Sequence, residues 1–186
     1  MPLIVVLIII IVIFVWMWAS YNSIIRLRNR RMNAFADIDV QLRQRHDLVP
    51  QLVETVKGYA GHEREVLTRV TEARTSAIGA TTIDEKIQKE QQLSSALQGL
   101  RVTMEAYPNL KANENFMRLQ EKLGDIEYNL AATRRQFNTI TTDYNNAVQT
   151  FPGNMVARNY GFTTETFFDL GTEVRKQFEE PPVVKF

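Results

Sequence analysis

From Asn115 to Phe151, side chains that are mostly apolar recur every three then four residues: Phe116, Leu119, Leu123, Ile126, Leu130, Thr133, Phe137, Ile140, Tyr144, Ala147 and Phe151, with polar residues between. A heptad rhythm held over this length predicts one helix with a narrow apolar seam that needs partner helices. At about 1.5 Å per residue such a rod is roughly 55 Å long. Asn113 or Asn115 is a candidate N-cap, and Pro152-Gly153 is a stop signal.

Three further stripes are candidate partners. Met32, Phe35, Ile38 and Leu42 step by three and four, and the series resumes as Val49, Leu52, Val56 and Tyr59 after passing Arg45. Pro50 sits inside this pattern, which predicts either a kink near His46 or a break with Asp47 as a new N-cap. The kink is the favoured expectation because the stripe keeps its phase. Gly58 and Gly61 mark a joint, after which Val66, Val70, Ala73 and Ala77 share one face. Gly79 to Thr82 reads as a turn, and Leu93, Leu97, Leu100, Met104 and Tyr107 form the next stripe, ended by Pro108-Asn109. Stripes too narrow to be stable alone, joined by short links, predict an antiparallel bundle of long helices. After Pro152 the period is lost, and a loop and short-helix segment rich in aromatic residues is expected, with Phe162, Phe167 and Phe168 as candidates for self-association.

The N-terminus follows a different rule. No residue from Pro2 to Ser20 is charged, and Leu3 to Val15 is almost wholly Leu, Ile, Val and Phe. That length approaches the roughly 20 apolar residues a helix needs to span a bilayer. A cleaved signal peptide is the rival reading. It would carry a basic residue before the run and small residues after it, whereas here Met1-Pro2 precedes and Trp16-Met17-Trp18 closes the run. Trp16, Trp18 and Tyr21 fall where amphipathic rings favour the headgroup zone, and Arg26, Arg28, Arg30 and Arg31 follow at once. These seven are the candidate membrane-interface residues. The arginines predict an N-terminus outside and the remaining domain in the cytoplasm, and they either act as a topology signal or also hold anionic lipid. The expected order is therefore an anchor at 1–20, a long-helix bundle at 21–151 and a C-terminal segment at 152–186, all-α throughout.

Composition changes this picture little. Lys and Arg number 22 against 21 Asp and Glu, so no global field points to nucleic acid. The absence of cysteine excludes disulfides, thiolate metal sites and a cysteine nucleophile. The two histidines, His46 and His62, have no third ligand at metal spacing; a hydrogen bond across the proline kink is expected of His46 and an interhelical polar contact of His62. Asp37 and Asp39 stand two apart and do not face each other on a helix. With no phosphate loop and no nucleophile setting, no catalytic residue, cofactor or metal site is assigned. The polar stretch around Arg43, Arg45, His46 and Asp47, beside Pro50, is either an interaction or hinge site or a structural one in which Arg45 pairs with a carboxylate such as Glu127.

Over nearly its full length the chain resembles the LemA family of bacterial membrane proteins. The resemblance rests on Tyr21-Asn22, Arg28-Asn29, Asp39-Val-Gln-Leu, the block from Arg45-His46-Asp47 through Pro50 to Tyr59-Ala60, and His62-Glu63. It continues in Glu114-Asn115-Phe116, Leu119-Gln120, Glu127, Arg134, Asn138, Asn145 and Phe151-Pro152-Gly153-Asn154. Phe137 stands where the family commonly has Tyr, and Thr133 where it often has Ala. The resemblance implies one transmembrane helix, a soluble domain of long helices and a link to membrane organisation, and it brings no agreed catalytic residues. Together these readings predict a non-enzymatic scaffold of the bacterial inner membrane that contacts lipids and forms homo-oligomers. The alternative is an accessory or adaptor subunit of a membrane protease or sensor complex, with a membrane protein as partner.

Overall fold

A computed structural model describes residues 2–60 and 63–169. Among these, six helices and no strand are found: α1 (Pro2–Lys57), α2 (Arg64–Gly79), α3 (Ile83–Met104), α4 (Pro108–Lys111), α5 (Glu114–Gln149) and α6 (Gly153–Tyr160). The all-α class is as the periodicity predicts. His62, the Gly61 joint and the chain from Leu170 onward, including Glu179, Glu180 and the Pro181-Pro182 pair, lie outside the described residues.

The first part of α1 is the apolar run, and among the described residues α1 is the one helix long and apolar enough to cross a membrane. Leu3 to Val15 are exposed all round. The same helix then continues to Lys57, and from Ile24 onward it carries a buried stripe of Ile24, Arg31, Phe35, Ile38, Leu42, Arg45, Val49, Leu52 and Val56. Both arginines thus occupy core positions of a heptad. Pro50 breaks nothing, because α1 runs through it to Lys57. The break with a fresh N-cap at Asp47, the alternative to the favoured kink, does not occur.

Local chemistry sets the other boundaries. Thr82 caps α3 in a reciprocal box with Glu85, its hydroxyl accepting from the Glu85 N–H while the Glu85 carboxylate accepts from the Thr82 N–H. Those backbone and hydroxyl donors of Thr81 and Thr82 hold the Glu85 carboxyl below its ordinary range. Asn113 starts α5 by accepting from the Phe116 N–H at 3.0 Å. The link before α5 contains α4, one turn with Pro108 at its first position, where a missing N–H costs nothing.

By packing, the described chain divides into two units that do not follow chain order. Residues 2–39 and 131–167 form one, and residues 40–60, 63–130 and 168–169 belong to the other. In the first unit Phe35 meets Phe137 edge-on at 5.7 Å and Arg31 reaches Thr141, so α1 and α5 run antiparallel there. Ile24, Tyr144, Val148, Val156 and Ala157 form its core, with Tyr21, Leu27, Ala147 and Phe162 packed against them. In the second unit Val49, Leu52 and Val56 of α1 join Leu67, Val70 and Ala77 of α2, Leu93, Leu97, Leu100 and Met104 of α3, Leu110 of α4 and Phe116 of α5. Each such Val, Leu, Met or Phe side chain, fully buried, adds about 1.5–3 kcal/mol, which supplies what narrow stripes lack singly. The α5 seam departs from expectation at its end: the helix stops at Gln149, and Phe151 is 76% exposed.

Candidate functional site

The second unit holds a buried ion network. Arg45, fully buried on α1, donates through Nη2 to the carboxylate of Glu90 on α3. Its Nη1 donates to Glu127 Oε1 on α5 at 2.8 Å and to Ser94 Oγ at 3.0 Å. One guanidinium therefore ties three helices. The other Glu90 oxygen receives His46 Nε2 at 2.6 Å, so consecutive residues of α1 straddle one carboxylate. A planar fork with several donors suits this task, whereas a point-charge ammonium does not.

Burial opposes both charges, and their mutual attraction decides the outcome. Burial alone lowers the Arg45 pKa, but the Glu127 and Glu90 carboxylates beside it more than offset this and hold it raised. Glu90 is pushed upward by burial, yet the His46 hydrogen bond and the Arg45 charge bring it below the ordinary carboxylate range.

A second contact completes the group. Pro50 has no N–H to offer the carbonyl four residues earlier, and that carbonyl, His46 O, accepts from Arg74 Nε of α2 at 2.6 Å. The His46 ring, expected to bond locally at the proline, instead reaches α3. Arg45 pairs with Glu127 as the sequence suggested. Arg43, Asp47 and Pro50 are exposed. Of the stretch read as either an interaction or hinge site or a structural one, Arg45 and His46 are turned inward.

The first unit contains a smaller counterpart. Arg31, expected at the headgroups with its neighbours, is 4% exposed. It pairs with Glu165 at 3.0 Å, donates to Thr141 Oγ1 and the Thr166 carbonyl, and lies over the Phe137 ring at 4.8 Å. Asn145 clasps the same segment, accepting from the Glu165 N–H at 2.8 Å and donating to its carbonyl at 3.0 Å. Tyr144 nearby is raised by burial and then by the Glu165 charge, with Arg28 and Arg31 opposing. Arg26, Arg28 and Arg30 stay exposed.

Aromatic side chains gather where the apolar run ends. Trp16 packs on Phe151 at 6.2 Å between ring centres, and Tyr21 packs on Tyr160 at 4.8 Å and on Phe162 at 5.7 Å. Trp18 is exposed. A cleft of about 280 Å³ lies beside them, lined by Trp16, Ser20, Ser23, Ala147, Thr150 and Gly153 among others. Of the three phenylalanines expected to serve self-association, Phe168 is buried, Phe162 is occupied by Tyr21, and Phe167 is 46% exposed.

What these groups do chemically is hold helices. Among the described residues, the buried charged side chains Arg31, Arg45, His46 and Glu90 each meet an oppositely charged group. A model of the LemA family matches residues 34–186, which takes in Arg45, His46, Glu90 and Glu127. The chain belongs to the LemA family. It is also similar to the protein LemA of Metamycoplasma hominis, with 28% identity over 139 residues, covering 74% of this chain. The chain spans 63% of the length of that relative. For a LemA-family chain the informative signal missed in sequence was Glu90. It stands three residues after Ile87 and three before Leu93, so a carboxylate interrupts an apolar stripe. That placement asks for a buried cation opposite. Arg31 carried a similar signal, seven residues after Ile24 and seven before Ile38 on the core stripe.

Proposed function

We propose that this LemA-family protein is a non-enzymatic scaffold, anchored in the bacterial inner membrane with its N-terminus outside, which self-associates through its helical part to organise or shape that membrane. The observation that carries the reading is α1 itself. An apolar segment of membrane length passes without a linker into the part of α1 that bears the Arg31 contacts, so the anchor is continuous with the first unit. Outside the anchor, Met32, Val102, Met117 and Tyr128 keep half or more of their surface exposed, apolar groups that contact with another copy would cover.

The absence of native cysteine permits a direct test. Met117→Cys and Tyr128→Cys variants, oxidised in intact membranes, are expected to form dimers that a thiol reductant reverses. Monomer alone at both positions overturns self-association through the exposed side of α5.

The adaptor reading keeps one supporting feature, the exposed Arg43 and Asp47 beside the buried network. Arg43→Glu with Asp47→Lys separates the two. Loss of a membrane protein partner with homo-oligomers intact favours the adaptor.

A further inference from the structure

We propose that the turn between α5 and α6 is a second membrane-inserted element, with Phe151 and Met155 entering the bilayer beside the anchor. The inference rests on the reading of the α1 apolar run as membrane-spanning and goes beyond it.

Depth is set by one contact. Trp16 lies ten residues before Arg26, the first charged residue of the sequence, or about 15 Å inside the charge-free run at 1.5 Å per residue. The Phe151 ring is 6.2 Å from the Trp16 ring between centres. If Trp16 lies in the interfacial belt, Phe151 lies there too, yet 76% of Phe151 is exposed. Met155, four residues on from Phe151, is 58% exposed, whereas Val156 and Ala157 are buried.

Charge placement agrees. No charged residue occurs between Asp143 and Arg158, which spans the end of α5, the turn and most of α6. Arg158 is exposed at the far end of α6, where a phosphate headgroup is within its chemistry. The backbone is also suited to a poorly hydrated site. The N–H groups of Thr150, Asn154 and Met155 bond to the carbonyls of Asn146, Thr150 and Pro152, the Thr150 hydroxyl bonds to Asn146 O at 2.6 Å, and Pro152 has no N–H to satisfy. Two attachments a few ångströms apart would fix the tilt and rotation of the first unit at the membrane, which one helix does not.

The test uses the full chain in vesicles of phosphatidylethanolamine and phosphatidylglycerol. Nitroxides are attached at Phe151→Cys, Met155→Cys, Ile9→Cys in the anchor and Val102→Cys on exposed α3, and collision with oxygen is compared with collision with a water-soluble nickel chelate. The expected oxygen-to-nickel ratio at 151 and 155 is several-fold above that at 102 and near that at 9. Met155→Cys answers the same question where loss of the Phe151 ring disturbs the fold. A lipid signature at 9 with a ratio at 151 and 155 equal to that at 102 overturns the insertion and leaves the anchor standing. An aqueous signature at 9 as well overturns both. Spin–spin broadening at 151 and 155 that vanishes on dilution with unlabelled chain identifies a second copy as the occupant and likewise overturns insertion.

Discussion

The backbone carbonyl of His46 accepts a hydrogen bond from Arg74 Nε at 2.6 Å, four residues before a proline that has no N–H to give it. A defect in one helix is thus closed by a side chain from another. Removing that donor leaves the carbonyl of a buried residue unsatisfied, and Arg74→Ala is expected to cost about 1–3 kcal/mol. Pro50→Ala restores a local N–H, so in that background Arg74→Ala is expected to cost about 1 kcal/mol less. Denaturant unfolding of the four combinations measures the coupling; strict additivity would show that Arg74 does not serve the proline defect.

Breaking the Arg45 to Glu90 pair from one side strands a charge away from water. Arg45→Met and Glu90→Leu, each alone, are expected to lose about 3–5 kcal/mol, and the double variant less than either. Stability of the three variants by chemical denaturation checks this, and a double variant as damaged as the sum of the singles would contradict it.

The same pair makes stability depend on acid. The folded-state pKa of Glu90 is depressed, so its contribution is fully present above the unfolded carboxylate value, about 4.3, and is lost as pH falls through the lower folded value. Unfolding free energy measured from neutral pH downward is expected to fall in that acidic window. Glu90→Gln is expected to flatten that part of the profile.

Glycines separate close packing from mere sequence. A Cβ on Gly153 would stand 2.0 Å from the Ala147 carbonyl oxygen, a backbone atom that cannot swing away, so Gly153→Ala is expected to destabilise by about 1–3 kcal/mol. Gly124, inside α5 and exposed, meets nothing within 4 Å. Gly124→Ala is expected to stabilise by about 0.5–1 kcal/mol. Thermal unfolding of the two variants should shift in opposite directions.

Most of the helices were legible because their signals are periodic: the α5 seam from Phe116 to Tyr144, the stripe through Pro50, the apolar run to Ser20. Asn113 was legible as a cap because a short carbonyl side chain before a periodic run has one usual use. The core charges were harder. Arg31 sits beside three surface arginines, and linear clustering outweighed its heptad position. Glu90 drew no assignment from the sequence, since spacing on one helix does not reveal which residue a neighbouring helix presents. Phe151 continued a seam on paper, but the helix had ended two residues earlier.

The most direct test of a self-associating membrane scaffold is the mass of the full chain extracted with its lipids into nanodiscs and weighed particle by particle, after equilibration at micromolar concentration. The account predicts particles containing two or more 21.5 kDa copies. Particles holding a single copy throughout would contradict it.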